Sequence, residues 1–164
     1  MIRLATWEDL PEMLRVYEAA RAYMARSGNP LQWADGHPTR DTLENDLTVG
    51  NRLYVMEENG RIHAAFAFML GDDPTYAYIE NGQWLNDRPY GTVHRIGSDG
   101  ETHGVLEKAL DFCRTICPNI RIDTYKDNHT MLHLILKNGF TPCGTIYLKN
   151  GSPRLAFQKD YGLI

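Results

Sequence analysis

The stretch from Tyr90 to Cys113 constrains this chain more than any other. It reads as a strand over 90–97, a glycine-bearing loop, and then a helix. The loop and its borders run His94-Arg95-Ile96-Gly97-Ser98-Asp99-Gly100-Glu101-Thr102-His103-Gly104-Val105-Leu106-Glu107. Val105, Leu106, Ala109, Leu110 and Cys113 recur at helical spacing, and Pro118 stops the pattern. A strand that feeds a helix through a short loop is one half of a parallel crossover. The helix start also leaves backbone N–H groups without partners, and the helix dipole adds positive character to them. Glycines let such N–H groups approach an anion closely, so the segment is built to hold phosphate. An ordinary strand–turn–helix has the same outline. No Lys-Ser/Thr follows the glycines and no Gly-x-Gly-x-x-Gly is present, so the two familiar nucleotide loops are excluded.

The rest of the chain arranges itself around this segment. Ile2 to Ala5 is a short strand, and Thr6 with Glu8 and Asp9 opens a helix. Leu10, Met13, Leu14, Val16, Tyr17 and Ala20 carry that helix to about Met24, and Ser27-Gly28-Asn29-Pro30 ends it. Thr39 caps a short helix through about Leu47. Leu53–Glu57 and Ile62–Leu70 are strands joined by a Glu58-Asn59-Gly60 hairpin turn. Gly71-Asp72-Asp73-Pro74 breaks the chain. Beyond Pro118, Ile120–Tyr125 is a strand and Asn128–Asn138 a helix that Gly139 terminates. Thr141–Leu148 and Arg154–Lys159 close the chain as two strands around Asn150-Gly151-Ser152-Pro153. This order predicts an α/β (α+β) fold with a mixed central sheet and about four flanking helices. It lacks the regular alternation of a doubly wound nucleotide fold.

Length and composition narrow the choices further. The 164 residues fit one domain spanning 1–164. A net charge of −4 without a Lys/Arg block argues against nucleic acid as a partner. The longest apolar run, Ala64 to Leu70, is far too short to span a membrane. No signal peptide is visible at the start, and three cysteines (Cys113, Cys117, Cys143) form no paired pattern. A reducing cytoplasm is the expected location. His129 and His133 have helical i, i+4 spacing, yet lack a third ligand, so no metal is expected.

Together, these features resemble the GNAT family of acetyl-CoA-dependent N-acetyltransferases, over nearly the whole length. The likeness includes Ile2-Arg3-Leu4-Ala5 with its helix and the strand ending Ala64-Ala65-Phe66-Ala67-Phe68. Asn128 to Phe140 resembles the family's late helix, usually written Asn-x-x-Ala-x-x-Leu-Tyr-x-x-x-Gly-Phe. The loop resembles the family's Arg/Gln-x-x-Gly-x-Gly/Ala pyrophosphate motif, placed on Glu101, Thr102, His103, Gly104, Val105 and Leu106. Glu101 stands where the family prefers Arg or Gln, Leu106 where it has Gly or Ala, and Ile135 where many members carry a tyrosine.

The resemblance implies acetyl-CoA as co-substrate and a small-molecule amine or exposed amino group as acceptor. It implies cofactor binding by Ile96 and Gly97 on the strand, by Glu101 to Leu106 in the loop, and by Asn128. A homodimer fits the family's habit. Acyl transfer to an amine also needs a base, because an alkyl ammonium loses its proton only near pH ~10. Glu80 is the first candidate, and His94 on the cofactor strand is a further catalytic candidate through a pocket role. His94 and Arg95 alternate, so one of them faces the acceptor side. Tyr125 or Tyr147 could supply the leaving thiolate's proton in place of the family tyrosine. Trp33, Tyr78, Trp84 and Tyr90 lie where an acceptor pocket would form. The departures at Glu101, Leu106 and Ile135 keep an alternative open: a non-catalytic acyl-CoA-binding or regulatory module of the same fold.

Overall fold

The computed structural model of the protein describes residues 1–162. Leu163 and Ile164, the last positions of the expected 1–164 domain, lie outside the described residues. In chain order the elements are β1 (Ile2–Leu4), α1 (Leu10–Arg26), α2 (Arg40–Val49), β2 (Leu53–Glu58), β3 (Arg61–Leu70) and β4 (Gly91–Ser98). They continue with α3 (Val105–Ile116), β5 (Asn119–Thr124), α4 (His129–Lys137), β6 (Thr141–Tyr147) and β7 (Pro153–Asp160). The strands form one seven-stranded sheet in the order β1-β2-β3-β4-β5-β7-β6. β4 and β5, joined through α3, are parallel. The pairs β1/β2, β2/β3, β5/β7 and β6/β7 are antiparallel. This is the mixed α/β fold that the order of periodicities predicts.

Local chemistry explains the main boundaries. Asn59 and Gly60 both adopt positive φ, 53° and 76°, as the two-residue turn between β2 and β3 requires. The Thr39 hydroxyl accepts from the Thr42 amide at 3.2 Å and starts α2. The Asn128 side chain accepts from the Met131 amide at 3.1 Å and starts α4. The first helix departs from expectation: a tight turn over Trp7–Asp9 comes first, and α1 begins at Leu10. Asp9 is the reason. Its carboxylate accepts from the Thr6 amide at 2.8 Å and from both terminal nitrogens of Arg3 at 2.7 and 2.9 Å, which ties the entry to β1.

The chain divides into two compact units. The first comprises Met1–Phe68 and Arg95–Ala109. Its core joins Leu10, Met13, Val16 and Tyr17 of α1, Leu43 of α2, and Leu53, Val55, Ile62 and Ala65 of the hairpin. The second comprises Met69–His94 and the described residues from Leu110 onward. Its core includes Tyr76, Tyr90, Ile146 and Ala156, with Ile79, Trp84 and Leu148 packed around them.

Within the first unit, β4 carries a strained residue. Arg95 has φ of 53°, which costs an L-residue with a Cβ about 1–2 kcal/mol. Its surroundings hold it there. The buried Tyr17 hydroxyl donates to the Arg95 carbonyl at 2.7 Å, and the Arg95 guanidinium pairs with the buried carboxylate of Asp46. Two residues on, Gly97 lies so close to α1 that a Cβ would stand 2.9 Å from the Tyr17 ring and 3.3 Å from the Ala20 methyl. Gly97 therefore has a packing reason to be glycine.

Candidate active site

In the first unit the expected phosphate loop runs into the start of α3, with a glycine, Gly104, immediately before it. Gly104 takes φ of 69°, and a Cβ there would meet nothing within 4 Å. The first bond into the helix runs from the Lys108 amide to the Gly104 carbonyl at 3.0 Å. The amides of Val105, Leu106 and Glu107 are thus the first-turn donors. Leu106 is buried, so its backbone N–H is what it can offer an anion. These features fit a phosphate group: open space beside Gly104, first-turn amides that precede the first helical bond, and the positive end of the α3 dipole.

The loop ahead of that start is held rigidly. Asp99 accepts from the Glu101 amide at 2.9 Å, from Arg15 at 3.2 Å and from His63 at 3.1 Å. The amide of Glu101 is therefore already engaged. Its carboxylate points at Arg61, 3.0 Å away, and at His63 Nδ1, also 3.0 Å away. The Arg61 guanidinium offsets the negative charge that a loop carboxylate would turn toward a phosphate. His63, Asp99 and Glu101 also offer three ligand atoms within 4.8 Å of one another. Arg15 and Arg61 supply their positive charge instead, so the cluster is an ion-pair network.

The second unit gathers a different set. His94 Nε2 lies 2.8 Å from Asp73 Oδ2, and Asp73 also accepts from the Thr75 amide at 2.9 Å and hydroxyl at 2.7 Å. The Tyr76 hydroxyl donates to Asp123 at 2.5 Å, and the Tyr76 and His94 ring centres are 6.3 Å apart. Thr92 and His94 on β4 share a face with Arg121 and Asp123 on β5, since Thr92 pairs with Arg121. Burial pushes the Asp123 carboxyl upward from its ordinary value. Burial acts the same way on Asp73, but hydrogen bonds from His94 and Thr75 outweigh it and carry its pKa down to about 2.

The sign of the Asp73 effect follows directly. A carboxylate held below its unfolded value stabilises the fold fully above that value. The contribution is lost as pH falls from about 4 through about 2. It amounts to about 2 kcal/mol for a side chain that is 16% exposed. Asp73→Asn is expected to flatten the loss of stability across that window, as read by urea unfolding at stepped pH. An unchanged acid-side slope would contradict it.

The other candidate residues fall as follows. Glu80 forms a bridge with Thr145, its carboxylate accepts from the Tyr147 hydroxyl, and Tyr78 stacks on Tyr147 with ring centres 6.5 Å apart. Tyr125 lies under the Arg154 guanidinium, 4.9 Å from its ring centre. Trp84 and Tyr90 sandwich the buried Arg121 guanidinium at 4.1 and 3.9 Å. Their facing surfaces are filled by this chain's own cation. Trp33 packs edge-on against Tyr17 at 5.9 Å in the first unit. His94 and Arg95 do diverge, His94 toward Asp73 and Arg95 toward Asp46. Ile135 is wholly buried, and Cys113 is a core residue. The sequence pattern assigns Asp73, Tyr76 and Asp123 no site role. The available signal for Asp123 was a carboxylate at an alternating position between Ile122 and Thr124 on β5.

Solved structures place this arrangement in context. An acetyltransferase of the GNAT family from Streptococcus agalactiae is 33% identical, with 98% of this chain and 94% of that one covered and a TM-score of 0.85. A GNAT-family acetyltransferase from Listeria monocytogenes is 20% identical, with 98% and 94% covered and a TM-score of 0.69. A ribosomal-protein-alanine N-acetyltransferase from Brucella melitensis is 19% identical, with 98% and 99% covered and a TM-score of 0.61. The latter two likenesses establish the fold alone. No family model and no curated protein matches the chain. The mixed sheet and the Streptococcus likeness define an acetyltransferase class, and the chain belongs to the GNAT family of acetyltransferases.

Proposed function

We propose that the protein is an acetyl-CoA-dependent N-acetyltransferase acting on a small amine or an exposed amino group. The observation that carries this reading is the open, side-chain-free start of α3 at Gly104, in a chain of this family. Acetyl-CoA would supply an activated acyl group as a thioester. The amides from Thr102 to Leu106 would hold its phosphates, Ile96 and Gly97 its strand-side contacts, and Asn128 its pantetheine arm. Glu80, His94 and Tyr125 are the groups available for proton transfer. Three free cysteines support a reducing cytoplasmic location. No helix among the described residues is long and apolar enough to cross a membrane.

Two measurements test the reading. Acetyl-CoA is expected to raise the melting temperature where ATP and NAD do not, since ligand at 100 times its Kd contributes about 2.7 kcal/mol. Single-turnover mixing with a panel of amines should then give acetylated product by mass spectrometry. No thermal shift at millimolar acetyl-CoA would overturn the proposal. Binding without transfer to any amine would favour the non-catalytic module, which the buried Ile135 at the family's tyrosine position would suit.

A further inference from the structure

The second unit holds a histidine whose ring is fixed by an ionised carboxylate. His94 is the side chain of β4 that leaves the strand toward the loop after β3, and Asp73 of that loop meets its Nε2 at 2.8 Å. Asp73 is itself immobilised. Its carboxylate caps the turn at Thr75, and its amide donates to the buried Tyr90 hydroxyl at 2.8 Å. A carboxylate can only accept, so the hydrogen on Nε2 belongs to the histidine. Neutral imidazole carries one N–H, and the lone pair then lies on Nδ1. The side chain is 23% exposed, which leaves the ring accessible.

The groups facing this ring are Asp73 from the loop, Tyr76 from the turn that follows it, and Asp123 from β5. Arg154 from β7 acts electrostatically on Asp123, and Tyr76 donates to it. An imidazolium formed here would thus sit beside one ionised carboxylate and near a second carboxyl group.

We propose that Asp73 is a positioning residue that fixes the Nε2–H tautomer of His94, leaving Nδ1 as the base that takes the acceptor's proton. The inference rests on the acetyltransferase reading above. In the step, Nδ1 accepts a proton from the acceptor ammonium. The freed amine lone pair forms a C–N bond to the thioester carbonyl carbon, and the C–S bond breaks. Sulfur leaves as thiolate, the acylated nitrogen gives up its second proton through solvent to that thiolate, and His94 returns its own proton to water.

The test pairs a spectroscopic readout with kinetics. In wild-type protein labelled with ¹⁵N-histidine, the neutral His94 ring is expected to show the Nε2–H pattern, assigned by its loss in His94→Gln. Asp73→Asn keeps an oxygen for the Thr75 cap, and its melting temperature confirms folding. It should shift the ring toward Nδ1–H, lower kcat/KM by on the order of 100-fold, and move the acid limb of the pH profile to lower pH. Asp73→Glu should restore part of the loss. A wild-type ring protonated on Nδ1, or Asp73→Asn with unchanged kcat/KM and pH profile, would overturn the proposal. A wild-type protein that acetylates no amine would instead overturn the functional reading, and the tautomer result separates the two failures.

Discussion

Gln158→Leu is expected to cost about 3–5 kcal/mol of folding stability, among the largest effects of a single substitution in this chain. Gln158 is fully buried on β7. Its Oε1 accepts from the Leu85 amide at 2.9 Å, and its Nε2 donates to Asn119 at 2.8 Å and Asn86 at 3.3 Å. Asn119 in turn donates to Asn86 at 3.0 Å and to the carbonyls of Arg88 and Pro89 at 3.2 and 3.3 Å. Arg121 adds a bond to the Asn86 carbonyl at 2.8 Å. Leucine fills similar space but satisfies none of these groups. Each stranded donor or acceptor costs about 1–3 kcal/mol. Urea unfolding reads the loss directly, and a change below about 1 kcal/mol would show that water replaces the amide without penalty.

Gly104→Asp is expected to separate stability from ligand binding. A carboxylate at this position lies against the first-turn amides and the positive end of the dipole, a gain of about 0.3–1 kcal/mol. Against it stands the positive φ of 69°, which aspartate tolerates better than most residues. The unliganded protein should therefore melt within a few degrees of the wild type. Acetyl-CoA affinity should fall more than tenfold, because the new charge both occupies the amides and repels phosphate. Gly104→Ala supplies the comparison, with the backbone strain and no charge. Calorimetric titration that finds equal affinity in Gly104→Asp and wild type would remove this loop from the binding site.

The fold was legible because its signals are local. Asn128 and Gly139 bracket α4 within a dozen residues, and Asn59-Gly60 writes the hairpin turn on its own. The strand, loop and helix from Gly91 to Ile116 likewise signalled some parallel pairing, and β4 and β5 pair in that sense. The polar cluster of the second unit was not legible in this way. Asp73 and His94 are 21 positions apart, and Tyr76 and Asp123 are 47 apart. Asp73 also sat within a Gly-Asp-Asp-Pro sequence whose evident role was to break the chain. Trp84 and Tyr90 suggested an acceptor pocket because nothing in their neighbourhood shows that Arg121 lies between them. Glu101 looked like an unmatched charge for the same reason: Arg61, its partner, is 40 positions away.

Arg95 also marks where β4 passes from one compact unit to the other. The consequence concerns the order in which the chain is made. When residue 68 has left the ribosome, the first unit still lacks its segment 95–109, and that segment follows 26 residues that belong to the second unit (69–94). The second unit is likewise interrupted by a piece of the first. The first unit is complete in sequence only at residue 109, after 69–94 of the second has been made, so neither unit emerges as one uninterrupted block, as tandem domains do. No single cut of the coding sequence would separate the two units, so their interleaving is written into the path of one strand.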